Sequence, residues 1–226
     1  GKLEYAGIRE YAVLPEKEEN AEEEPEDDFL MPEIDFEALK EKNDDFCAWL
    51  VIPALEVNYP VVWCGDNDTY LTKTFEGGTN SAGCLFVDGA NSPDLTDRNT
   101  LIYGHNMKNG AMFGTLSDFL QKEELAAEDP YFYLYTEDRA MRYQIIAYYT
   151  TAGDSSTYTF LNTDEEYDSY LAWIRRNDPF EGDEEAALKE RPRIVTLSTC
   201  YGRAGGTTRF VVHGALTEER PMEPKE

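Results

Sequence analysis

Histidine is nearly absent: the chain has only His105 and His213 in 226 residues. That excludes a multi-histidine metal site and leaves open only an oxygen-ligand site for a hard cation. We therefore expect no metal and no cofactor. Cysteine is scarce too. Cys47, Cys64, Cys84 and Cys200 lack metal-knuckle spacing and are too few for a disulfide scaffold, so at most one bridge remains if one thiol must stay free. Positive charge is in short supply, with 20 Lys and Arg against 46 Asp and Glu and a formal net charge of -26. Such a surface repels nucleic acid phosphates and anionic lipid headgroups, so no nucleic acid partner is expected. No apolar run is long enough to span a bilayer, and no signal-peptide pattern opens the chain. It starts at Gly1-Lys2, which reads as a soluble fragment whose anchor lies outside it.

Apolar residues make up 41% of the chain, enough for one domain with a substantial core. Much of the acidity is local, in Glu16 to Asp28, and such runs are solvated and mobile. The expected division is residues 1–28 as a flexible N-terminal segment and acidic linker, 29–217 as the folded domain, and 218–226 as an acidic tail.

Within the domain, Asp35 reads as the cap of a short helix through Phe36 and Leu39, ending near Asp44. Short β-favouring runs follow: Trp49 to Ile52, Val57 to Trp63, Gly83 to Asp88 and Thr100 to Tyr103. Asn67 to Leu71 reads as a capped helical turn, and Phe113 to Leu125 as a helix with Phe119 and Leu120 inward. Tyr131 to Tyr135 and Met141 to Tyr149 form a hairpin whose tyrosines pack a β surface. Asp164 is placed to cap a helix carrying Tyr167, Tyr170, Leu171 and Ile174, and Gly182 to Glu190 reads as a loop. Many short strands without βαβ alternation favour a small closed or nearly closed β-barrel.

Two stretches carry chemistry. Arg193-Ile-Val-Thr-Leu-Ser-Thr-Cys200 is a strand with Cys200 at its end, and the Gly-containing connection after it returns Arg209 toward Cys200 from a start near Thr207. A thiol beside a guanidinium favours the nucleophilic thiolate. Taken alone, Cys200 reads more readily as a buried structural cysteine than as a nucleophile. In Arg98-Asn-Thr-Leu-Ile-Tyr-Gly-His-Asn-Met107, Gly104 allows a sharp exit that presents His105 at a strand end, where it can take or give a proton near neutral pH. His213 lies four residues beyond Arg209, about 13 Å along a strand at its usual rise, and so away from the site.

From about Asp35 to Leu216 the chain resembles the sortases, cysteine transpeptidases of Gram-positive surfaces, and most closely their class B. The resemblance rests on Trp49-Leu-Val-Ile-Pro53, Tyr59-Pro-Val-Val62, Asp97-Arg-Asn-Thr-Leu-Ile-Tyr-Gly-His-Asn-Met107, Met112-Phe-Gly114, and Thr196-Leu-Ser-Thr-Cys200 with Arg209. It implies an eight-stranded sortase-type β-barrel with an N-terminal helix and a helix inserted before the penultimate strand. It also implies catalytic roles for Cys200 as nucleophile, His105 as acid and base and Arg209 as oxyanion-stabilising cation, with Ser198 and Thr199 lining the peptide groove. Arg203 is a rival to Arg209, which a strand fixes better than a loop does.

The implied partners are a sorting-signal peptide resembling Asn-Pro-x-Thr or Ser-Pro-x-Thr, cut after Thr, and an amine of the cell-wall precursor or of a pilin. The implied location is the outer face of the plasma membrane, with an N-terminal anchor that is not in this chain. A hydrolytic cysteine protease and a non-catalytic acidic surface-binding barrel remain as alternatives.

Overall fold

In the computed structural model, residues 2–16, 27–178, 188, 190–200 (Cys200 by its backbone) and 206–223 are described. Helix α1 (Lys2–Ile8) leads to strand β1 (Ala12–Val13), which pairs antiparallel with β2 (Glu33–Ile34). Helix α2 (Phe36–Lys42) follows, capped as expected by the Asp35 carboxylate accepting from Ala38 N at 3.1 Å. Strands β3 (Phe46–Ile52), β4 (Val57–Val62), β5 (Leu85–Val87) and β6 (Asn99–Tyr103) come next. After short helices α3 (Asp118–Gln121) and α4 (Glu124–Glu128) come β7 (Tyr131–Tyr135), β8 (Arg139–Ala152), α5 (Asp164–Asn177), β9 (Ile194–Cys200) and β10 (Thr208–Pro221). Eight strands close into a barrel in the order β10-β8-β7-β3-β4-β5-β6-β9, so the mainly-β fold is a barrel with no open edge.

Alternation along the strands separates two apolar layers. Val195 and Leu197 of β9, with Phe210 and Val212 of β10, belong to the barrel core along with Trp49, Leu50, Phe132 and Tyr143. Their neighbours Ile194, Val211 and Ala215 face outward and pack beneath α5, against Tyr167, Tyr170 and Ile174. The tyrosine-rich hairpin is packing surface: Phe132 and Tyr143 sit opposite one another in register with stacked rings 5.2 Å apart.

Four expectations are corrected. Residues 2–13 are packed rather than loose, because Tyr5 and Ile8 are buried and the Tyr5 hydroxyl donates to the Gly83 carbonyl at 2.6 Å. Residues 17–26, most of the acidic run, lie outside the described residues. The acidic tail is in part a strand, since β10 continues past Leu216 to Pro221, paired with Arg139 to Arg142, while Arg142 and Arg220 bind Glu218 and also Asp28 and Asp27. The single helix over Phe113 to Leu125 is a run of turns followed by α3 and α4, after Met112 in a left-handed conformation at φ 56°. Phe119 is buried and Leu120 half-buried. The α5 cap is Thr163, accepting from Glu166 N, and Asp164 is the first helical residue. Most of Gly182 to Glu190, and Tyr201 to Gly205 with Arg203, lie outside the described residues.

Candidate active site

Strands β6 and β9 run parallel, with Tyr103 opposite Ser198, so both leave the barrel at the same rim although about a hundred residues separate them. Gly104 N extends the ladder by donating to Ser198 O at 3.1 Å. A Cβ on Gly104 would lie 2.4 Å from Leu85 Cδ2 and 2.7 Å from Phe113 Cδ2, so the exit requires glycine. His105 follows, half-buried. Its Nε2 is 2.6 Å from the Leu71 carbonyl, and since a carbonyl only accepts, Nε2 carries the proton here. Its own carbonyl accepts from Phe113 N at 3.0 Å, which ties the residue to the turn that follows.

Antiparallel pairing puts Arg209 directly opposite Cys200. The guanidinium donates through NH1 to the carbonyls of Gly206 at 3.0 Å and Thr208 at 3.1 Å, and among the described residues no carboxylate pairs with it. Arg209 is thus a positive charge held by backbone at the rim and, among the described residues, not neutralised by an acid.

His105, Arg209, Ser198 and Thr199 border one cleft of about 210 Å³. Ser198 Oγ is 2.7 Å from the Tyr158 hydroxyl. Thr199, although buried, leaves its Oγ1 without a hydrogen-bond partner among the described residues. The remaining walls, Asn67, Leu71, Phe86 and Tyr103, were not singled out as site residues by the sequence. Asn67 registered only as part of a turn. Its amide donates to Asp88 at 3.2 Å and its carbonyl accepts from Gly89 N at 2.7 Å. Tyr103 donates to the same Asp88 carboxylate at 2.6 Å, and burial pushes its phenol well above the ordinary range.

The other candidates do not reach the cleft. Cys47, Cys64 and Cys84 are free thiols. Burial pushes Cys47 far up and Cys84 up to about 12, so neither yields a thiolate near neutral pH. His213 is fully buried under α5, away from the rim as its spacing implied. Among the described residues no helix is long and apolar enough to cross a membrane.

Comparison with known proteins agrees with this geometry. Residues 50–217 match the model of the sortase domain. Sortase B of Listeria monocytogenes serovar 1/2a is 33% identical over 168 residues, 72% of this chain, and the match spans 65% of that protein, just under two thirds of its length. The crystal structure of sortase B from B. anthracis in complex with AAEK1 superposes with a TM-score of 0.76 at 30% identity, covering 96% of each chain. A Staphylococcus aureus sortase B-substrate complex gives 0.74 at 26% identity, covering 81% of this chain and 84% of that one. The eight-stranded barrel, the helix before the penultimate strand and these matches together place the chain in the sortase family, in its class B.

Proposed function

We propose that the chain is a cysteine transpeptidase that cuts a sorting-signal peptide after Thr, holds the product as a thioester on Cys200 and passes it to an amine. The observation that carries this reading is the strand register: Tyr103 opposite Ser198 and Arg209 opposite Cys200 gather His105, the end of β9 and an unneutralised guanidinium around one cleft.

The Cys200 thiolate attacks the threonine carbonyl, and the carbonyl π pair moves onto oxygen. Arg209, already fixed by the carbonyls of Gly206 and Thr208, stabilises that oxyanion more than it does the neutral carbonyl. Collapse breaks the C–N bond, and His105 gives its proton to the leaving amine. The incoming amine then attacks the thioester and returns a proton to His105, and the thiolate departs. Ser198 and Thr199 line the bound peptide. The peptide class is Asn-Pro-x-Thr or Ser-Pro-x-Thr. The acceptor is an amine of the cell-wall precursor, and the working site is the outer face of a Gram-positive membrane, reached through an anchor N-terminal to this chain.

Intact mass measurement tests the reading. Wild type incubated with an Asn-Pro-x-Thr-containing peptide should gain the mass of the fragment ending in Thr, and an added amine such as triglycine should discharge it as the amide. The Cys200→Ala variant should show no adduct, and Arg209→Ala should lose activity by about 10²–10³-fold. Discharge to the free acid alone in the presence of amine would mean a hydrolase. No adduct from any threonine-containing sorting peptide would overturn the reading.

A further inference from the structure

A set of polar side chains removed from water lies one layer out from the cleft, between the barrel and α5, and no step of the transfer chemistry uses it. At its centre is His213. Its Nε2 is 2.7 Å from the Tyr149 hydroxyl and its Nδ1 is 2.8 Å from Thr196 Oγ1. The Thr196 hydroxyl hydrogen is already committed to Asn99 Oδ1 at 2.8 Å, so Nδ1 is the donor to Thr196. The ring is fully buried and none of its partners is a carboxylate, so it is neutral. Nε2 therefore accepts from Tyr149, whose oxygen in turn accepts from Thr157 Oγ1 at 2.9 Å.

Followed the other way, the chain of bonds returns to the same place. Asn99 Nδ2 donates to Thr159 O at 3.0 Å and to the Tyr170 hydroxyl at 3.1 Å, and Tyr170 donates to Thr157 O at 2.7 Å. The circuit thus grips one short loop at three points: the Thr157 hydroxyl, the Thr157 carbonyl and the Thr159 carbonyl. Between them sits Tyr158. Its hydroxyl meets Ser198 Oγ at 2.7 Å and its ring lies 6.4 Å from that of Tyr103, and Ser198 and Tyr103 are both walls of the cleft.

We propose that His213, as the neutral Nδ1–H tautomer, is a positioning residue for the peptide: it closes the circuit that holds residues 155–159, and through Tyr158 it fixes the Ser198 and Tyr103 walls. The inference rests on the cleft being the peptide site. His213 touches no reacting atom, so its influence falls on substrate binding. Loss of one bond in the circuit frees the loop and is worth about tenfold, the equivalent of one net hydrogen bond.

Tyr149→Phe removes a single hydroxyl and keeps the ring in place. It should raise KM for the sorting peptide about tenfold with kcat within about twofold of wild type, and Tyr158→Phe should do the same. The double variant should be no worse than Tyr158→Phe alone, because both act through one loop. Additive losses, a fall in kcat in place of the rise in KM, or an unchanged KM in folded Tyr149→Phe would each overturn the proposal. A second readout needs no substrate. Nitrogen-15 NMR should show a proton on His213 Nδ1, and Tyr149→Phe should speed amide exchange at Thr157 to Thr159 at least tenfold while leaving β7 unchanged. A proton found on Nε2 alone, or unaltered loop exchange, refutes it. If wild type forms no thioester, the function reading fails while the exchange result still decides the loop's dependence on His213.

Discussion

Acidification from about pH 7.5 to about pH 5 should cost the folded state about 2 kcal/mol through His213 alone. In the unfolded chain this imidazole takes a proton at the ordinary 6.5, whereas in the fold burial lowers it to about 3. The titratable groups packed against it are the phenols of Tyr149 and Tyr170, both pushed up by burial and neutral throughout this window. Between the two values the unfolded state holds more protons than the native state, so stability falls as pH falls, by about 1.4 kcal/mol per unit. Above 6.5 neither state is protonated and the contribution is flat. Roughly one and a half units below 6.5, the loss reaches about 2 kcal/mol. Urea unfolding of wild type and His213→Gln at several values across this range isolates the effect, because carboxylates common to both cancel in the difference. Wild type should lose about 2 kcal/mol more than the variant. Parallel stability curves would refute the reasoning, as would an NMR titration in which the native His213 ring protonates near 6.

Two further outcomes follow from the site. Gly104→Ala drives a methyl group to within 2.4 Å of Leu85 and 2.7 Å of Phe113, so it should lower stability by about 1–3 kcal/mol in thermal or urea melts and displace His105; a melt equal to that of wild type would count against the tight exit. Thr199→Val replaces a buried hydroxyl that has no partner among the described residues, so stability should be unchanged or higher by up to about 1 kcal/mol. A fall in stability would show that the hydroxyl is satisfied within the protein.

The strands and the rim were legible because their signals are local. Alternation in Thr196-Leu-Ser-Thr-Cys200, β-branched runs closed by Gly104, and a return strand bearing Arg209 each sit within ten residues. What the sequence concealed depends on distant partners. Tyr5 and Ile8 lie in a short, weakly amphipathic segment, and only their burial against the barrel, with Gly83 accepting from Tyr5, makes α1 part of the fold. Glu218 to Pro221 has the composition of a tail but is a strand, because Arg139 to Arg142 supply the ladder and Arg142 and Arg220 supply the countercharge. The cleft walls Asn67, Leu71 and Phe86 come from turns and a three-residue strand with no chemical signature of their own. The His213 circuit is assembled from residues 99, 149, 157, 170, 196 and 213, and no spacing rule links those positions.

The parallel seam between β6 and β9 carries one more implication. Two strands that run the same way emerge side by side whatever the chain does between them, so the distance from His105 to the end of β9 is set by barrel registry alone. Outside β7, β8, the loop at 155–159 and α5, the intervening chain can lengthen, shorten or change composition without moving either strand end. Those loops can therefore drift in sequence while the spacing between His105 and the end of β9 stays constant.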